Sequence, residues 1–582
     1  MSTTRETPIP MSAGNTSKEH VAGHANEAPD GKFDESEIGN QEAQKGVQKI
    51  EAITQSWSKT SLACLLINIW LVFLTNGFRL SILSSLTPYV TSSFQSHSLL
   101  TVIGIVSSSI SAAVYIPMAK LLDVWGRAEG FLLMTCSSIL GVILMATSRN
   151  LATYCAAQVF YSIGFSGIIY TMGVLATDST SLKNRGLAFA FTSSPYMITA
   201  FAGSKSAEAF LLNVSWRWGF GAFAIIVPVI TLPLFILLNW NVRKAKKRGF
   251  LPEKTKRTIT LRYVWNKVTE FDLPGVVLFA AGLVIFLLPF TLATRAPQGW
   301  RTGYIIAMIV VGFLLLVIFA VYDAYWAPSP FLKNEFITDR TVIAACIFNM
   351  TYQISYYCWN SYFTSFLQVV CNLSVSEAGY VNSTFQIVSG LLLFIVGYGI
   401  RRTGRFKWLF YVCVPFYTLG LGLMIYFRQP NQPIGYIVMC EIFISIGGSV
   451  FILLVQIACL AAVDHQHVAA VLAVLYVFGS IGGAIGHTIS GTIWTNTFYK
   501  DLLRNLPVTA LPDVAMIYAD LATQLSYPVG STERLAIQHA YGYAQTRMLA
   551  AGVGFSGLMF IWIFLFRNLD VSKRLQTKGT VL

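Results

Sequence analysis

Five ionisable side chains stand inside long apolar runs of this sequence, where a charge needs a partner or a water-filled cavity. They are Arg79, Lys205, Glu208, Glu441 and His487. A charged side chain deep in a bilayer costs about 3 kcal/mol or more, so such residues usually mark ion or ligand pathways. Lys205 and Glu208 are three residues apart, and they can neutralise each other on one face of a helix.

We expect Glu441 or Glu208 to be the group that takes up and releases a proton. Arg79 and Glu441 lie far apart in the chain, in opposite halves of the predicted fold, so both can face a central cavity. There Arg79 would tune the acid or contact the polar surface of a ligand. A purely structural buried pair is the alternative.

His487 lies in a stripe of glycines at positions 479, 482, 483, 486 and 491. Glycines spaced four residues apart let a helix approach its neighbour closely. The stripe therefore indicates packing. A proton-carrying role for His487 is the alternative, because histidine titrates near neutral pH.

Aromatic residues form a second group that could contact a ligand. One segment contains Tyr352, Gln353, Tyr356, Trp359, Asn360 and Phe363, of which positions 352, 356, 359 and 363 form a stripe at helical spacing. Tyr and Trp prefer the membrane interfaces, so a stripe at mid-depth fits a cavity better than lipid. Facing a cavity, it would suit a bulky and roughly neutral ligand with apolar arms and carbonyl oxygens. Packing against another helix is the alternative.

A short polar turn occurs twice between apolar runs. The first copy carries Asp123, Gly126 and Arg127, and the second carries Arg401, Gly404 and Arg405 at the same offset. An internal repeat of this kind in an apolar chain is typical of secondary transporters built from two halves. A second similarity between the two halves is that Asp178 and Asp464 stand at the ends of equivalent apolar runs.

The elements that must position these residues are membrane-spanning helices. The chain is 54% hydrophobic and 12% charged, far too apolar for a soluble protein of 582 residues. Runs of about 20 apolar residues are needed to cross a bilayer as a helix. We predict fourteen: 61–90, 98–122, 128–147, 151–177, 186–210, 216–240, 273–294, 303–323, 341–368, 375–400, 406–427, 434–462, 468–494 and 546–567.

Basic residues set the predicted orientation. Lys and Arg are more frequent in the short loops on the side of the N-terminus, and residues 241–272 add a strongly basic loop there, so both termini are expected in the cytosol. The short outer loops carry fewer, Arg428 among them. The net charge of +14 therefore reflects a membrane face rather than nucleic-acid binding.

The predicted organisation is an all-α membrane protein of two six-helix bundles with an inserted helix pair. The boundaries are a disordered cytosolic tail 1–57, the N-terminal bundle 58–240, the basic loop 241–272, the inserted pair 273–323, the C-terminal bundle 341–567 and a cytosolic tail 568–582. A long outer loop, 495–545, contains Phe498, Tyr499 and Tyr541. Its aromatic content favours ligand binding over variable padding.

The first turn resembles the cytoplasmic signature of the major facilitator superfamily, roughly G-x-L-x-D-R-x-G-R. Leu121, Asp123, Gly126 and Arg127 match it, whereas Ala119 and Val124 depart from it. The resemblance implies the major facilitator fold and a charge relay that latches the outward-facing state. It assigns that latch to Asp123, Gly126, Arg127, Asp178, Arg185, Arg401, Gly404, Arg405 and Asp464. Ordinary helix capping and snorkelling are the alternative.

More narrowly, residues 58–575 resemble the fungal siderophore-iron transporters. The segments that carry this likeness include Gln158–Gly167, Asp178–Arg185, Tyr356–Phe363 and Gly479–His487. The resemblance implies proton-coupled import of ferric hydroxamate siderophores. Drug exporters of the superfamily carry an arginine where Gln158 stands here, which argues against export.

We therefore expect a monomeric multi-pass transporter, not an enzyme, that binds a ferric siderophore, protons and lipid and needs no cofactor. No metal site is expected, because no Cys, His or carboxylate cluster has suitable spacing and the siderophore already fills the coordination sphere of its iron. The expected location is the plasma membrane, and cycling through endosomal vesicles is the alternative. The alternatives are an antiporter that exports drugs or glutathione, and a siderophore receptor that does not translocate.

Overall fold

The structure is a computed structural model that describes residues 58–248, 271–327, 338–463 and 467–571. Regular structure in these ranges is helical, apart from one isolated antiparallel bridge between Arg405 and Asp570. The predicted tail 1–57, most of the basic loop 241–272, most of the tail 568–582 and Asp464 lie outside the described residues.

The described ranges contain nineteen α-helices, joined by short loops and 3₁₀ turns. They are α1 (Lys59–Ser93), α2 (Leu100–Val124), α3 (Arg127–Thr147), α4 (Leu151–Asp178), α5 (Arg185–Ser193), α6 (Pro195–Asn213), α7 (Trp216–Lys247), α8 (Leu273–Leu292), α9 (Gly303–Tyr325), α10 (Arg340–Asn360), α11 (Phe363–Val369), α12 (Val375–Asn382), α13 (Thr384–Thr403), α14 (Lys407–Phe427), α15 (Ile434–Ala462), α16 (Val468–Asn505), α17 (Val514–Ala519), α18 (Leu521–Ser526) and α19 (Thr532–Trp562).

Twelve helical segments of the described chain are long and apolar enough to cross a membrane. They correspond to twelve of the fourteen predicted spans. The other two, 186–210 and 341–368, are helical but are not among the twelve. Each is interrupted, at Ser194 between α5 and α6 and at residues 361–362 between α10 and α11. Fourteen crossings, and the division into two six-helix bundles, stay predictions.

The predicted outer loop 495–545 is largely helical. Helix α16 continues to Asn505, and α19 already begins at Thr532. The Ser531 hydroxyl caps α19 by accepting a hydrogen bond from the Arg534 backbone N–H. The predicted spans end at 494 and begin at 546, whereas backbone hydrogen bonding and capping extend both helices into the predicted outer loop.

Helix packing joins distant parts of the chain. Helices α2 and α16 share the most extensive helix–helix contact, followed closely by α10 and α16. The glycine stripe makes this possible, because Gly482 and Gly486 face backbone carbonyls of α10 while Gly483 and Gly491 face Ser108 and Thr101 of α2. The close packing predicted for this stripe is therefore confirmed.

The inserted pair, α8 and α9, packs beside the contact between α2 and α16. Helix α8 packs against α9, α2 and α16. Helix α9 buries only Ile305 and Gly312 among its residues, and its exposed side chains are mostly apolar. A helix that is apolar and exposed suits direct contact with lipid.

Candidate functional site

A cavity of about 380 Å³ lies between the N-terminal half, residues 58–248, and the C-terminal half, residues 338–571. Helices α1, α4, α5 and α6 form one wall, and α10, α13, α15 and α16 form the other. Its aromatic lining consists of Phe73, Phe165, Phe189, Tyr196, Tyr352, Tyr356, Tyr357, Phe385 and Tyr476. Its amide and hydroxyl lining consists of Gln353, Gln386, Gln456, Thr192, Ser193, Ser389 and Ser449.

The lining contains no Asp, Glu, Lys, Arg or His side chain. Within the described residues, the walls of this cavity are thus uncharged and still rich in hydrogen-bonding groups. Such a site binds a bulky ligand by apolar and aromatic contact and orients it by a few hydrogen bonds. It offers no ion pair to a charged ligand.

Only part of the predicted aromatic stripe lines the cavity. Tyr352, Gln353 and Tyr356 line the cavity. Trp359 and Phe363 are buried outside its lining, with the Trp359 ring edge-on to the Tyr356 ring at 5.4 Å. The Asn360 amide donates a hydrogen bond of 3.0 Å to the Tyr356 hydroxyl. Trp359 and Asn360 therefore hold Tyr356 in place from behind.

The end of the cavity predicted to face the cytosol is closed by contacts between the halves. The rings of Tyr115 and Tyr170 in the N-terminal half meet Tyr476 at 5.2 and 6.1 Å. The Tyr170 hydroxyl donates to the Ala469 carbonyl at 2.6 Å. Nearby, α5 and α13 approach so closely that a Cβ built on Gly397 would lie 2.8 Å from the carbonyl carbon of Gly186.

The opposite, outer end is closed by a different set of contacts. The Tyr89 hydroxyl donates to the Gln368 side-chain carbonyl, and the Tyr362 hydroxyl donates to the Ser98 carbonyl at 2.9 Å. Each bond joins the N-terminal half to the C-terminal half. The two halves therefore touch toward both ends of the cavity, which is itself only partly enclosed.

The contacts between the two halves at the outer end form an outer seam. Glu208 belongs to this seam rather than to the cavity lining. Its carboxylate pairs with Lys205 at 2.6 Å, as the spacing predicts, and also accepts a bond of 3.4 Å from the Ser376 backbone N–H across the seam. The Lys205 side chain is 68% exposed, whereas that of Glu208 is 12% exposed. The pair lies at the surface end of α6, not at mid-depth.

Arg79 and Glu441 do not line the cavity, contrary to expectation. Arg79 is fully buried inside the N-terminal half, where it donates to Ser138 and Asn76. Its guanidinium carbon also lies 5.0 Å from the centre of the Phe165 ring. Its Nη1 and Nη2 atoms are hydrogen-bonded within the same half, whereas its Nε atom has no hydrogen-bond partner among the described residues.

Glu441 is fully buried, and neither of its carboxylate oxygens has a hydrogen-bond partner within the described ranges. Its charged neighbour is Arg428, not Arg79. Arg428 is also fully buried, donates to the Trp359 carbonyl at 2.8 Å, and lies over the Phe363 ring at 4.4 Å.

Sequence reasoning missed Arg428 because it directly follows an apolar run and was assigned to an outer loop. The short connection from α14 to α15 was the available signal, since it makes the two helices antiparallel neighbours.

His487 lies at the seam between the halves and not in the cavity lining. Its ring packs on Tyr357 at 4.1 Å and fills the space left by Gly104 of α2. Its Nδ1 atom is 3.3 Å from the Ser361 hydroxyl. This environment agrees with the packing interpretation of the glycine stripe.

The first copy of the repeated turn forms the expected cluster of charges. Arg127 contacts Asp123 at 2.6 Å and Asp178 at 3.4 Å. Arg185, at the start of α5, is buried and within electrostatic range of Asp178. The turn needs glycine because Gly126 has φ = +120°, a region that side chains disfavour.

The second copy of the turn is built differently. Gly404 has φ = +68° and ends α13, and its carbonyl accepts a hydrogen bond of 2.8 Å from the Val571 N–H. Arg401 and Arg405 are exposed. Because Arg401 stands where the first copy has Asp123, this turn cannot repeat the internal ion pair. The turn instead holds the C-terminal segment through the hydrogen bond from Val571 to Gly404.

A larger cavity, of about 740 Å³, opens at the outer end between the inserted pair and the extended α16. Tyr499, Tyr518, Arg295 and Lys500 are among its lining residues. Burial raises the pKa of the Tyr518 hydroxyl further above neutral pH, where the hydroxyl is protonated in any case and can donate a hydrogen bond.

Phe498 and Tyr541 do not line this outer cavity. The Phe498 ring stacks on Trp494 at 4.2 Å, and Tyr541 meets Trp494 at 5.0 Å. Of the three aromatic residues predicted to bind ligand outside, Tyr499 alone contributes to the lining. Across the described ranges, no group of three or more His, Cys, Asp or Glu residues could hold a metal ion.

Residues 69–487 match the family model described as Major Facilitator Superfamily. The chain is 63% identical over 546 residues to the siderophore iron transporter mirB of Emericella nidulans, covering 94% of this chain and 90% of that protein. It is 58% identical over 566 residues to the MFS siderochrome iron transporter 1 of Gibberella zeae, covering 97% and 93% of the two chains.

Solved structures share the fold at low sequence identity. A bacterial homologue of the human lysosomal transporter Spinster, in an inward-facing and occupied conformation, is 14% identical with a TM-score of 0.52, covering 88% of this chain and 97% of that one. A peptide transporter POT variant with bound sulfate is 14% identical with a TM-score of 0.51, covering 86% and 96%.

Proposed function

The chain belongs to the Major Facilitator Superfamily, and from this membership we propose that it imports ferric hydroxamate siderophores by alternating access, driven by protons. It is a multi-pass membrane protein and not an enzyme. Its relatives from Emericella nidulans and Gibberella zeae, which carry siderophore or siderochrome iron transport in their names, support the substrate class.

The uncharged lining of the central cavity is the observation that carries this proposal. Three hydroxamate groups neutralise ferric iron and fill its coordination sphere, so the complex presents carbonyl oxygens and apolar arms but no net charge. Tyr352, Tyr356 and Gln353 offer the matching aromatic faces and hydrogen-bond donors. An anionic ligand would enter this cavity without any cation to meet it.

Alternating access is supported by the two sets of contacts between the halves. Opening the outer end requires the loss of the Tyr89 and Tyr362 hydrogen bonds, while opening the inner end requires the loss of the Tyr170 bond and of the contact at Gly397. The cluster of Arg127 with Asp123 and Asp178 would latch one of these states.

Protons would supply the driving force without any chemical catalysis. A charge that crosses the membrane potential gains about 2.3 kcal/mol per 100 mV, which suffices if proton and ligand are carried by the same state. Because the cavity lining holds no carboxylate or histidine, the proton must bind elsewhere. Glu441, buried without hydrogen-bond partners in the described part of the chain, is our first candidate, and Glu208 at the outer seam is the second.

The larger outer cavity would capture the ligand before it enters. We place the protein in the plasma membrane as a monomer with cytosolic termini, where a substrate arriving from the medium meets the outer end first.

The test is uptake of radioactive iron into host cells that lack siderophore transport of their own. We expect iron supplied as a neutral ferric trihydroxamate to accumulate inside the cells, and a protonophore to abolish that accumulation. A ferric tricatecholate, which is strongly anionic, serves as the matched substrate control and should not enter. Counts that stay at the cell surface would instead identify a receptor, and iron that never accumulates while the host gains resistance to drugs would identify an exporter.

A further inference from the structure

The helix that carries the cavity aromatics is interrupted near its outer end. Helix α10 ends at Asn360 and the chain resumes helical structure at Phe363. Arg428, from the end of α14, reaches this break, where its Nη1 atom donates to the Trp359 carbonyl at 2.8 Å. Its guanidinium carbon lies 4.4 Å from the centre of the Phe363 ring and 5.0 Å from that of Phe366. One side chain thus holds both sides of the break.

The opposite charge for Arg428 comes from Glu441 on α15, the neighbouring antiparallel helix. Both side chains are fully buried, and they interact electrostatically without a direct hydrogen bond. Both carboxylate oxygens of Glu441, and the Nε and Nη2 atoms of Arg428, lack hydrogen-bond partners among the described residues. The other titratable groups that interact with Glu441 or Arg428 are Tyr356, Tyr417, Cys440 and Cys371.

The break is connected to the cavity through Tyr356. Trp359, whose carbonyl Arg428 holds, packs its ring against the Tyr356 ring, and Asn360 donates to the Tyr356 hydroxyl. Tyr356 itself lines the cavity. A shift of the last turn of α10 would therefore move an aromatic wall of the ligand site.

We propose that Arg428 is a positioning residue for the transport site, and that proton uptake by Glu441 changes how firmly Arg428 holds the break after α10. This inference rests on the proposed function and specifies its coupling device. With Glu441 ionised, Arg428 is attracted both by the Glu441 carboxylate and by the Trp359 carbonyl. With Glu441 protonated, the carboxylate no longer attracts Arg428, whose hydrogen bond to the Trp359 carbonyl then holds the break more firmly, so proton and ligand favour the same state. The proton thereby acts on the ligand site without entering the cavity.

The test measures uptake KM and its pH dependence for a neutral ferric trihydroxamate over the range of about pH 5 to 8. Glu441→Gln keeps the shape of the side chain but cannot ionise, so we expect uptake that no longer depends on pH, with ligand still bound by the purified protein. Arg428→Lys keeps the charge but loses the fit to Trp359 and Phe363, so we expect KM to rise about tenfold with the pH profile retained.

Two further variants keep the inference open to refutation if a charge change impairs folding. The double variant Arg428→Gln with Glu441→Gln removes both charges together and should reach the membrane with a flat pH profile. Arg217→Lys is the matched control, because Arg217 also lies over an aromatic ring, Trp216 at 4.4 Å, and also donates to backbone carbonyls, but of the N-terminal half and not of the break. It should leave KM unchanged.

The inference is overturned if Glu441→Gln retains the wild-type pH profile, or if Arg428→Lys retains the wild-type KM. Failure of the wild-type protein to take up ferric trihydroxamate at any pH would overturn the proposed function as well. Wild-type uptake with unaffected variants would overturn this coupling device alone.

Discussion

Replacement of Gly397 by alanine tests whether the inner end of the cavity must close and open during transport. A Cβ at this position would lie 2.8 Å from the carbonyl carbon of Gly186 and 3.0 Å from the backbone nitrogen of Leu187. Carbon atoms normally approach no closer than about 3.5 Å. The new methyl group would therefore force α5 and α13 apart, and it would do so only while the inner end is closed.

The size of the effect follows from this overlap. Overpacking a tight contact typically costs about 1–3 kcal/mol. Since the contact disappears when the inner end opens, this cost raises the free energy of the inner-closed state alone. The equilibrium between the two states should then shift toward the inward-open state by about 5–150-fold. Fewer molecules face outward, so KM for uptake from the medium should rise by up to the same factor.

Gly399→Ala provides the matched control. Gly399 lies two residues further along α13, and a Cβ there would meet no atom within 4 Å. Both substitutions gain about 1 kcal/mol of helix propensity, so the difference between them reports the contact with Gly186.

The assay combines uptake kinetics with thiol labelling at Ala469, which lies in the inner contact. In an Ala469→Cys background, a membrane-impermeant reagent applied to inside-out vesicles should label the Gly397→Ala variant faster than the Gly399→Ala variant. Labelling without Ala469→Cys corrects for the native cysteines. Equal KM values and equal labelling rates for the two alanine variants would refute the assignment of this contact as the inner gate.

Three other substitutions probe features described above. Gly404→Ala places a side chain at φ = +68° and should destabilise the protein by about 1 kcal/mol, seen as a lower Tm of the purified protein. Asp178→Asn removes one of the two carboxylates around Arg127 and should lower uptake several-fold while faster inner-face labelling reports a weaker latch; unchanged labelling would contradict a latch. Tyr356→Phe removes a hydroxyl from the cavity wall, worth about 1 kcal/mol and thus roughly a fivefold rise in KM, whereas Tyr417→Phe, which is buried outside the lining, should leave KM unchanged.

The sequence was sufficient to predict most helices and the repeated turn. Long apolar runs require helices in a bilayer, and the glycines at 126 and 404 occupy backbone conformations that favour glycine. The ion pair between Asp123, at the end of α2, and Arg127, at the start of α3, also follows from their closeness in the sequence on the two sides of one turn. These features depend on local geometry, which a pattern of residue types can encode.

The remainder of the site depends on contacts that local patterns do not contain. Helical spacing placed Tyr352, Tyr356, Trp359 and Phe363 on one face only if the helix is continuous, but the break after Asn360 redirects Phe363. Likewise, no periodicity indicates that Arg428 folds back beneath Trp359. Spacing identifies a face of a helix, whereas the neighbour of that face is decided by tertiary packing.

The absence of charge around the central cavity has a consequence for cargo selection. Hydroxamic acids that have released their metal regain their protons, so the empty chelator is as electrically neutral as the loaded one. Walls of tyrosine, phenylalanine and glutamine cannot tell the two apart by charge. The discrimination must rest on shape, since the metal folds three arms into one rigid body while the empty molecule stays extended and must be ordered on entry. Under our proposal, the protein therefore recognises iron indirectly, through the compact shape that bound iron gives to the siderophore.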